Sequence, residues 1–190
     1  MGPRSGTKTK MLGGAIELLR ERGAAGVTVD AVLSRTKSPR GSVYHHFPGG
    51  RDQIMTESLA LAGDVIGAVV EGVTAEGSVA ALHRLREFWA TTLRDSDFRA
   101  GCPVVSVAVG GSTADEHLLP AVAEIFARWH RVIAHQLVIE GVPRHRADRL
   151  ATLAVAAIEG VLILCRAQRS TAPLDDVIAE FEVLFGPAAG

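Results

Sequence analysis

The sequence predicts an all-α protein with a small N-terminal unit and a larger helical body, and three observations carry that prediction. Apolar residues recur at helical spacing along nearly the whole chain, and alternating strand patterns are almost absent. Residues 28–53 read as a helix-turn-helix that runs straight into a longer helix. Glycines, prolines and N-cap residues punctuate the pattern where helices must start and stop. The division implied is a disordered basic arm over residues 1–6, a helix-turn-helix domain over 7–50 and a second domain over 51–190.

Met11, Leu12, Ala15, Ile16 and Leu19 form the stripe of a first helix that ends near Gly23. Thr28 suits an N-cap, and Val29, Val32 and Leu33 make one apolar face of a short second helix. Thr36, Lys37 and Ser38 supply the turn. Pro39 suits the first turn of a third helix, where a proline loses no hydrogen bond. Val43 and Phe47 point back to pack, while Arg40, Ser42, Tyr44 and His45 are left to reach outward. A short helix with such side chains on its outer edge has the form of an element that enters the major groove of DNA.

From Gly50 a long helix is expected, its buried stripe made of Ile54, Leu61, Val65, Val69 and Val73. Gly77 and Ser78 open the next helix, with Leu82, Leu85, Trp89 and Leu93 on one face, closing near Asp95-Ser96-Asp97. The apolar segment 101–112 reads equally as a strand or a short buried helix. Thr113 and Glu116 form a candidate capping box, with Pro120 as a kink or as the true helix start. Leu118, Val122, Ile125, Phe126, Trp129, Ile133 and Leu137 then line one helical face up to Gly141. A helix from about Arg144 to Arg169 is apolar almost all round in its second half, and a last helix opens at Pro173 and stops at Gly186-Pro187. These two helices need more cover than one small body provides, so a homodimer built on them is expected, with Ile158, Leu162, Val177, Ile178, Phe181 and Phe185 at the interface.

Charge is distributed unevenly. The 190 residues carry a net charge of −1, yet up to Asp52 nine Lys/Arg face four Asp/Glu, whereas the remainder holds 11 basic and 17 acidic residues. A basic quarter on an acidic body concentrates attraction for phosphates at the helix-turn-helix. Cys102 and Cys165 lie far apart without metal-ligand spacing, so no disulfide, metal site or other cofactor is expected. No nucleophile elbow, phosphate loop or dinucleotide fingerprint occurs, and no catalytic residue is assigned. The N-terminus has no apolar leader, and the run from Leu150 to Cys165 reads as too short and too polar to span a bilayer, which together point to the cytoplasm.

Arg-Gly-Ser-Val-Tyr-His-His-Phe (40–47) followed by Pro-Gly-Gly-Arg-Asp-Gln resembles the TetR/AcrR family of bacterial one-component repressors. Pro39-Arg40-Gly41-Ser42, Gly49-Gly50 and the string 101–104, Gly-Cys-Pro-Val, look like the subgroup that includes the lincomycin-resistance repressors. The resemblance implies about nine helices, three for DNA and the rest for ligand binding and dimerisation. It also implies a dimeric repressor on a palindromic operator, released by a small molecule, and Trp89, Phe126 and Trp129 on the helices expected to wall the cavity suit an apolar or aromatic effector. Alternatives are a helical small-molecule binder without repression, an architectural DNA protein, an activator, or a thiol-based redox sensor acting through Cys102. Two features depart from the family pattern: Lys37 where the turn usually has glycine, and Gly13-Gly14 inside the first helix.

The DNA-binding candidates are Thr28, Lys37, Pro39, Arg40, Gly41, Ser42, Tyr44, His45, His46 and Arg51. Arg40 has the chemistry for a bidentate contact to guanine, and Thr28 and Arg51 stand at helix N-termini suited to a phosphate. The pocket candidates are Trp89, Leu93, Cys102, Phe126, Trp129, His130, Glu159 and Leu162. Glu159 interrupts an apolar run and reads either as an anchor for a polar group on the effector or as half of a salt bridge with Arg166.

Overall fold

The computed structural model describes residues 3–71, 77–110 and 112–185, and among them it contains nine α-helices and no strand. The helices are α1 Pro3–Arg22, α2 Val29–Thr36, α3 Arg40–His46, α4 Gly50–Glu71, α5 Ser78–Asp95, α6 Pro103–Gly110, α7 Leu119–Ile139, α8 Arg144–Gln168 and α9 Ala172–Phe185. Short 3-10 turns occupy Ala24–Gly26 and Thr113–Leu118. The first helix therefore starts at Pro3, inside the stretch expected to be an arm. The expected stop at Gly186-Pro187 lies outside the described residues, as does Val73.

The chain divides into two compact units, Met1–Asp64 with Cys102–Ala123, and Val65–Gly101 with Glu124–Gly190. This differs from the expected boundary at residue 50. The first unit takes in the start of α4 and the whole of α6, because α6 packs on α1 and its Val104 and Val107 join the same core as Met11, Leu18 and Leu19. Val32 and Leu33 of α2, Val43 of α3, Phe47 just after it, and Ile54, Met55 and Leu59 of α4 complete that core.

Local chemistry sets each boundary of the helix-turn-helix. The Thr28 hydroxyl accepts a hydrogen bond from the Ala31 amide at 3.1 Å, which satisfies one of the unpaired donors of α2. At its other end Lys37 adopts a left-handed conformation, φ 50° and ψ 38°, and Ser38 N–H returns to the Leu33 carbonyl at 3.2 Å. Pro39 stands one residue before the first helical residue of α3, with φ −64° and ψ 144°, and its carbonyl accepts from Ser42 N–H at 2.9 Å. Gly14 is explained by the approach of α2 to α1, since a Cβ there would lie 2.4 Å from the Thr36 methyl. Arg35 ties the same two helices together, reaching Glu21 at 2.7 Å and Glu17 at 3.0 Å.

Within segment 101–112, Pro103–Gly110 form helix α6 rather than a strand, and the capping box lies one residue earlier than expected. Ser112 N–H donates to the Asp115 carboxylate at 3.3 Å, while Asp115 N–H donates to the Ser112 carbonyl at 2.8 Å. Pro120 is the second residue of α7, so it marks a start and not a kink. The buried face of α4 is Ile54, Met55, Ser58, Leu59, Ala62 and Ile66, whereas Val65 is exposed. The buried stripe is thus rotated from the expected one, keeping Ile54 but taking Met55, Leu59 and Ala62 in place of Leu61 and Val65.

In the second unit α5, α8 and α9 pack on one another. Trp89 and Leu93, Leu162 and Cys165, and Ile178 and Phe181 form their common core. Arg86 of α5 holds Asp175 in the first turn of α9 at 2.7 Å. Helices α4 and α8 are long and apolar enough to cross a membrane by length and composition, α8 being 25 residues with a mean hydropathy of 1.9 over its most apolar window. A core helix passes the same test of length and composition.

Candidate functional site

The outer edge of α3 is built by what its inner edge must bury. Val43 and Phe47 are fully enclosed, which fixes the rotation of the helix and turns Arg40, Gly41, Tyr44 and His45 outward. Tyr44 is 68% exposed, although a tyrosine ring ordinarily gains from burial. Arg40 makes a surface ion pair with Asp30 at 3.3 Å, with both side chains about three-quarters exposed. Such a pair contributes at most about 1 kcal/mol and is readily exchanged for another anion. Ser42 and His46 are half-buried at the margin, and the two imidazoles of His45 and His46 meet edge-on at 4.9 Å. Thr28, Lys37 and Pro39 are exposed at the start of α2 and in the turn before α3.

Arg51 departs from this pattern, and its expected place at a DNA phosphate is corrected. Its guanidinium turns inward: Nε donates to the Val27 carbonyl at 2.8 Å, Nη2 to the Ala24 carbonyl at 3.0 Å and Nη1 to Asp115 Oδ1 at 2.7 Å. Asp115 is 1% exposed. The Arg51 hydrogen bond holds its carboxyl below the usual carboxylate range, against the upward push of burial. Arg51 is thus a brace between the turn after α1, the start of α4 and the 3-10 segment before α7. Sequence reasoning missed it because the partner carboxylate lies 64 residues away.

Within the second unit a cavity of about 790 Å³, including its mouth, is lined by α4, α5, α7, α8 and the end of α9. Its wall includes the expected Trp89, Trp129 and Glu159, together with Ile66, Val70, Leu82, Leu85, Val132, Ile133, Val155, Ile158 and Phe185. Leu93 and Leu162 instead belong to the buried core. Phe126 meets Trp129 edge-on at 5.5 Å without reaching the wall. His130 is occupied by a 2.9 Å hydrogen bond to the Asp148 carbonyl. Cys102 belongs to the first unit, is 5% exposed and precedes α6, whose Ser106 N–H it receives on its carbonyl.

Two polar lining residues were not anticipated, Ser78 and Gln136. Glu140, one turn after Gln136, accepts from Gln136 Nε2 at 2.6 Å, from Ser78 N–H at 2.6 Å and from the Ser78 hydroxyl. Nothing in the local sequence singles Gln136 out, since His130, Arg131 and His135 are polar or charged in the same stretch.

The residues expected at a dimer interface are mostly interior. Ile158, Leu162, Ile178, Phe181 and Phe185 are each no more than 6% exposed, and Val177 is half-buried. The reason is the phase of the two helices: α8 and α9 point their largest side chains at each other and at α5. A different apolar set lies outside, Leu153, Ile163 and Leu164 on α8 and Val183 on α9, with Ala156, Gly160 and Ala167 continuing the α8 face.

Comparison with known proteins agrees at both ends of the chain. Residues 11–57 match the family model described as bacterial regulatory proteins, tetR family, and residues 78–180 match that of the transcriptional regulator LmrA/YxaF-like C-terminal domain. An uncharacterized HTH-type transcriptional regulator of Mycobacterium tuberculosis is 38% identical over 175 residues, covering 90% of this chain and 89% of the relative. The HTH-type transcriptional regulator LmrA of Bacillus subtilis is 29% identical over 174 residues, covering 88% and 90%. Among solved structures, regulatory protein TetR from Rhodobacter sphaeroides superposes with a TM-score of 0.78 at 20% identity, covering 94% of this chain and 96% of that one. CifR, a TetR family regulator solved as a cysteine mutant with a 26-bp operator, superposes with a TM-score of 0.71 at 19% identity, covering 90% and 93%. A helix-turn-helix with an open-edged third helix, a second helical unit enclosing an apolar cavity, and these matches at both ends lead to one assignment: the chain belongs to the TetR family of DNA-binding transcriptional regulators.

Proposed function

We propose that the protein is a homodimeric repressor that binds a palindromic operator and is released by a small apolar effector held in the cavity of its second unit. The observation that carries the DNA half of this reading is the outer edge of α3. Arg40, Gly41, Tyr44 and His45 stand open, with Ser42 at the margin, on a helix whose inner edge is locked by Val43 and Phe47. Arg40 reads a base, most simply a guanine edge, leaving Asp30 to do so. Tyr44, His46, Lys37 and the Thr28 hydroxyl contact phosphates and fix the register, while Pro39 and Gly41 let the backbones approach. The basic balance of the N-terminal quarter supports the same assignment.

Dimerisation is supported by the free face of α8, where Leu153, Ile163 and Leu164 sit around the small residues Ala156 and Gly160. Two copies of α8 and α9 brought together by a two-fold axis form a four-helix interface. Two recognition helices then enter successive major grooves about 34–36 Å apart. The effector acts by changing that separation, and α4 and α7, which each contribute residues to both units, are the covalent routes for the change. The site of action is the cytoplasm, where operator DNA is found.

The test is a selection of genomic fragments bound by the full chain, followed by a screen for compounds that release them. One palindromic sequence bound by two chains, and freed by a neutral apolar compound, is expected. Binding without sequence preference, with a steep salt dependence, supports an architectural role instead.

A further inference from the structure

The apolar cavity carries more chemical information than its shape. Buried polar atoms in proteins almost always have partners, because an unpaired one costs roughly 1–3 kcal/mol. Two cavity-lining residues break that rule. Gln136, 7% exposed, has a buried Oε1 with no hydrogen-bond partner, and Trp89, 1% exposed, has a buried Nε1 with none.

The orientation of the Gln136 amide follows from its surroundings. Glu140 offers only acceptors, and it already receives the Ser78 amide and hydroxyl. The nitrogen of Gln136 must therefore face Glu140, as its 2.6 Å contact requires, and the oxygen is the atom left over. The residues that line the cavity accordingly hold one unpaired acceptor on α7 and one unpaired donor on α5. Glu159 is the only ionisable residue among the described lining residues, so the wall supplies no cation. An anionic ligand would leave water for an apolar enclosure containing a carboxylate, which is strongly unfavourable.

We propose that the cavity takes a largely apolar, non-anionic molecule bearing one hydrogen-bond donor, received by Gln136 Oε1, and one acceptor, which receives Trp89 Nε1–H. This rests on the reading of the cavity as the effector site. Gln136 and Trp89 then determine specificity, because a ligand lacking either group leaves a buried atom unpaired.

The test is isothermal titration calorimetry on the full chain with four compounds of one skeleton: tetralin, 1-tetralone, 7-hydroxy-1-tetralone and tetralin-2-carboxylate. The hydroxy ketone is expected to bind at least about tenfold more tightly than tetralin, with the ketone between them and the carboxylate weakest. Gln136→Leu, and Gln136→Met as a second variant of similar volume, should abolish the advantage of the hydroxyl while leaving tetralin bound. Trp89→Phe should abolish the advantage of the ketone. Equal affinities for all three neutral compounds, discrimination that survives in the variants, or a carboxylate that binds best would overturn this proposal alone. Absence of binding by every compound, tetralin included, would overturn the effector-site reading as well.

Discussion

At the scale of single residues, Arg51 and Asp115 join three segments of the first unit through an ion pair whose carboxylate is buried. Asp115 is buried, and Arg51 is its partner at 2.7 Å while also holding two backbone carbonyls. Removing one member of such a pair strands the other, so Asp115→Ala is expected to lower stability by roughly 3 kcal/mol in urea unfolding at neutral pH. Because the Asp115 carboxyl is held below its ordinary value, its contribution is complete above the unfolded carboxylate pKa of about 4 and is lost as pH falls further through the folded value. The difference between wild type and Asp115→Ala should therefore shrink below about pH 4 and stay constant from pH 5 to 7, as unfolding curves at each pH would reveal.

Lys37 is a second residue whose substitution is informative, because its backbone is left-handed. Its φ of 50° costs a non-glycine residue roughly 1 kcal/mol, which Lys37→Gly should recover as a higher melting temperature. If the ammonium also neutralises a phosphate, the same substitution should weaken operator binding and make the slope of log affinity against log salt shallower by about 0.9. Greater stability with unchanged DNA binding would leave Lys37 as a turn residue only.

At the scale of elements, the two glycines of α1 separate propensity from packing. Nothing lies within 4 Å of a Cβ added at Gly13, whereas one added at Gly14 would meet Thr36 at 2.4 Å. Gly13→Ala should thus stabilise by about 1 kcal/mol, and Gly14→Ala should destabilise by forcing α2 away from α1. Thermal melts of the pair decide the matter, since equal shifts would show that the close approach of α1 and α2 is not needed.

Most elements were legible in the chain because their apolar period and their caps agreed, as at Thr28, Gly77 and Pro143. Segment 101–112 was not, since a short, uniformly apolar run has no period to read. The outer edge of α3 was legible because the motif itself states which side chains must pack. The cavity was only partly so. Trp89, Trp129 and Glu159 stood out by type, whereas Ser78 and Gln136 matter through a carboxylate on a neighbouring helix that no local pattern records. Arg51 was misread for the same reason, and the phase of α8 and α9 was set by their mutual packing.

At the scale of the whole molecule, that phase sets which face is left to receive the second copy of the proposed dimer. Ile158 and Phe185 face the cavity, so substituting them perturbs ligand binding and folding together. Ile163, 60% exposed, belongs to the outer face of α8. Ile163→Glu is expected to leave the helical signal intact and to convert a dimer into a monomer in sedimentation velocity. A variant that sediments as wild type would remove the α8 face from the interface.

The claim on which the account most depends is that the open edge of α3 reads the operator. It is tested most directly by the affinity of an alanine triple variant, Arg40, Ser42 and Tyr44 together, for the fragment that the wild-type chain selects. Each lost base or phosphate contact is worth roughly 1–3 kcal/mol, so a fall in affinity of at least about a hundredfold is expected, with the melting temperature and helicity unchanged. Retained affinity for that fragment in a folded triple variant would contradict it.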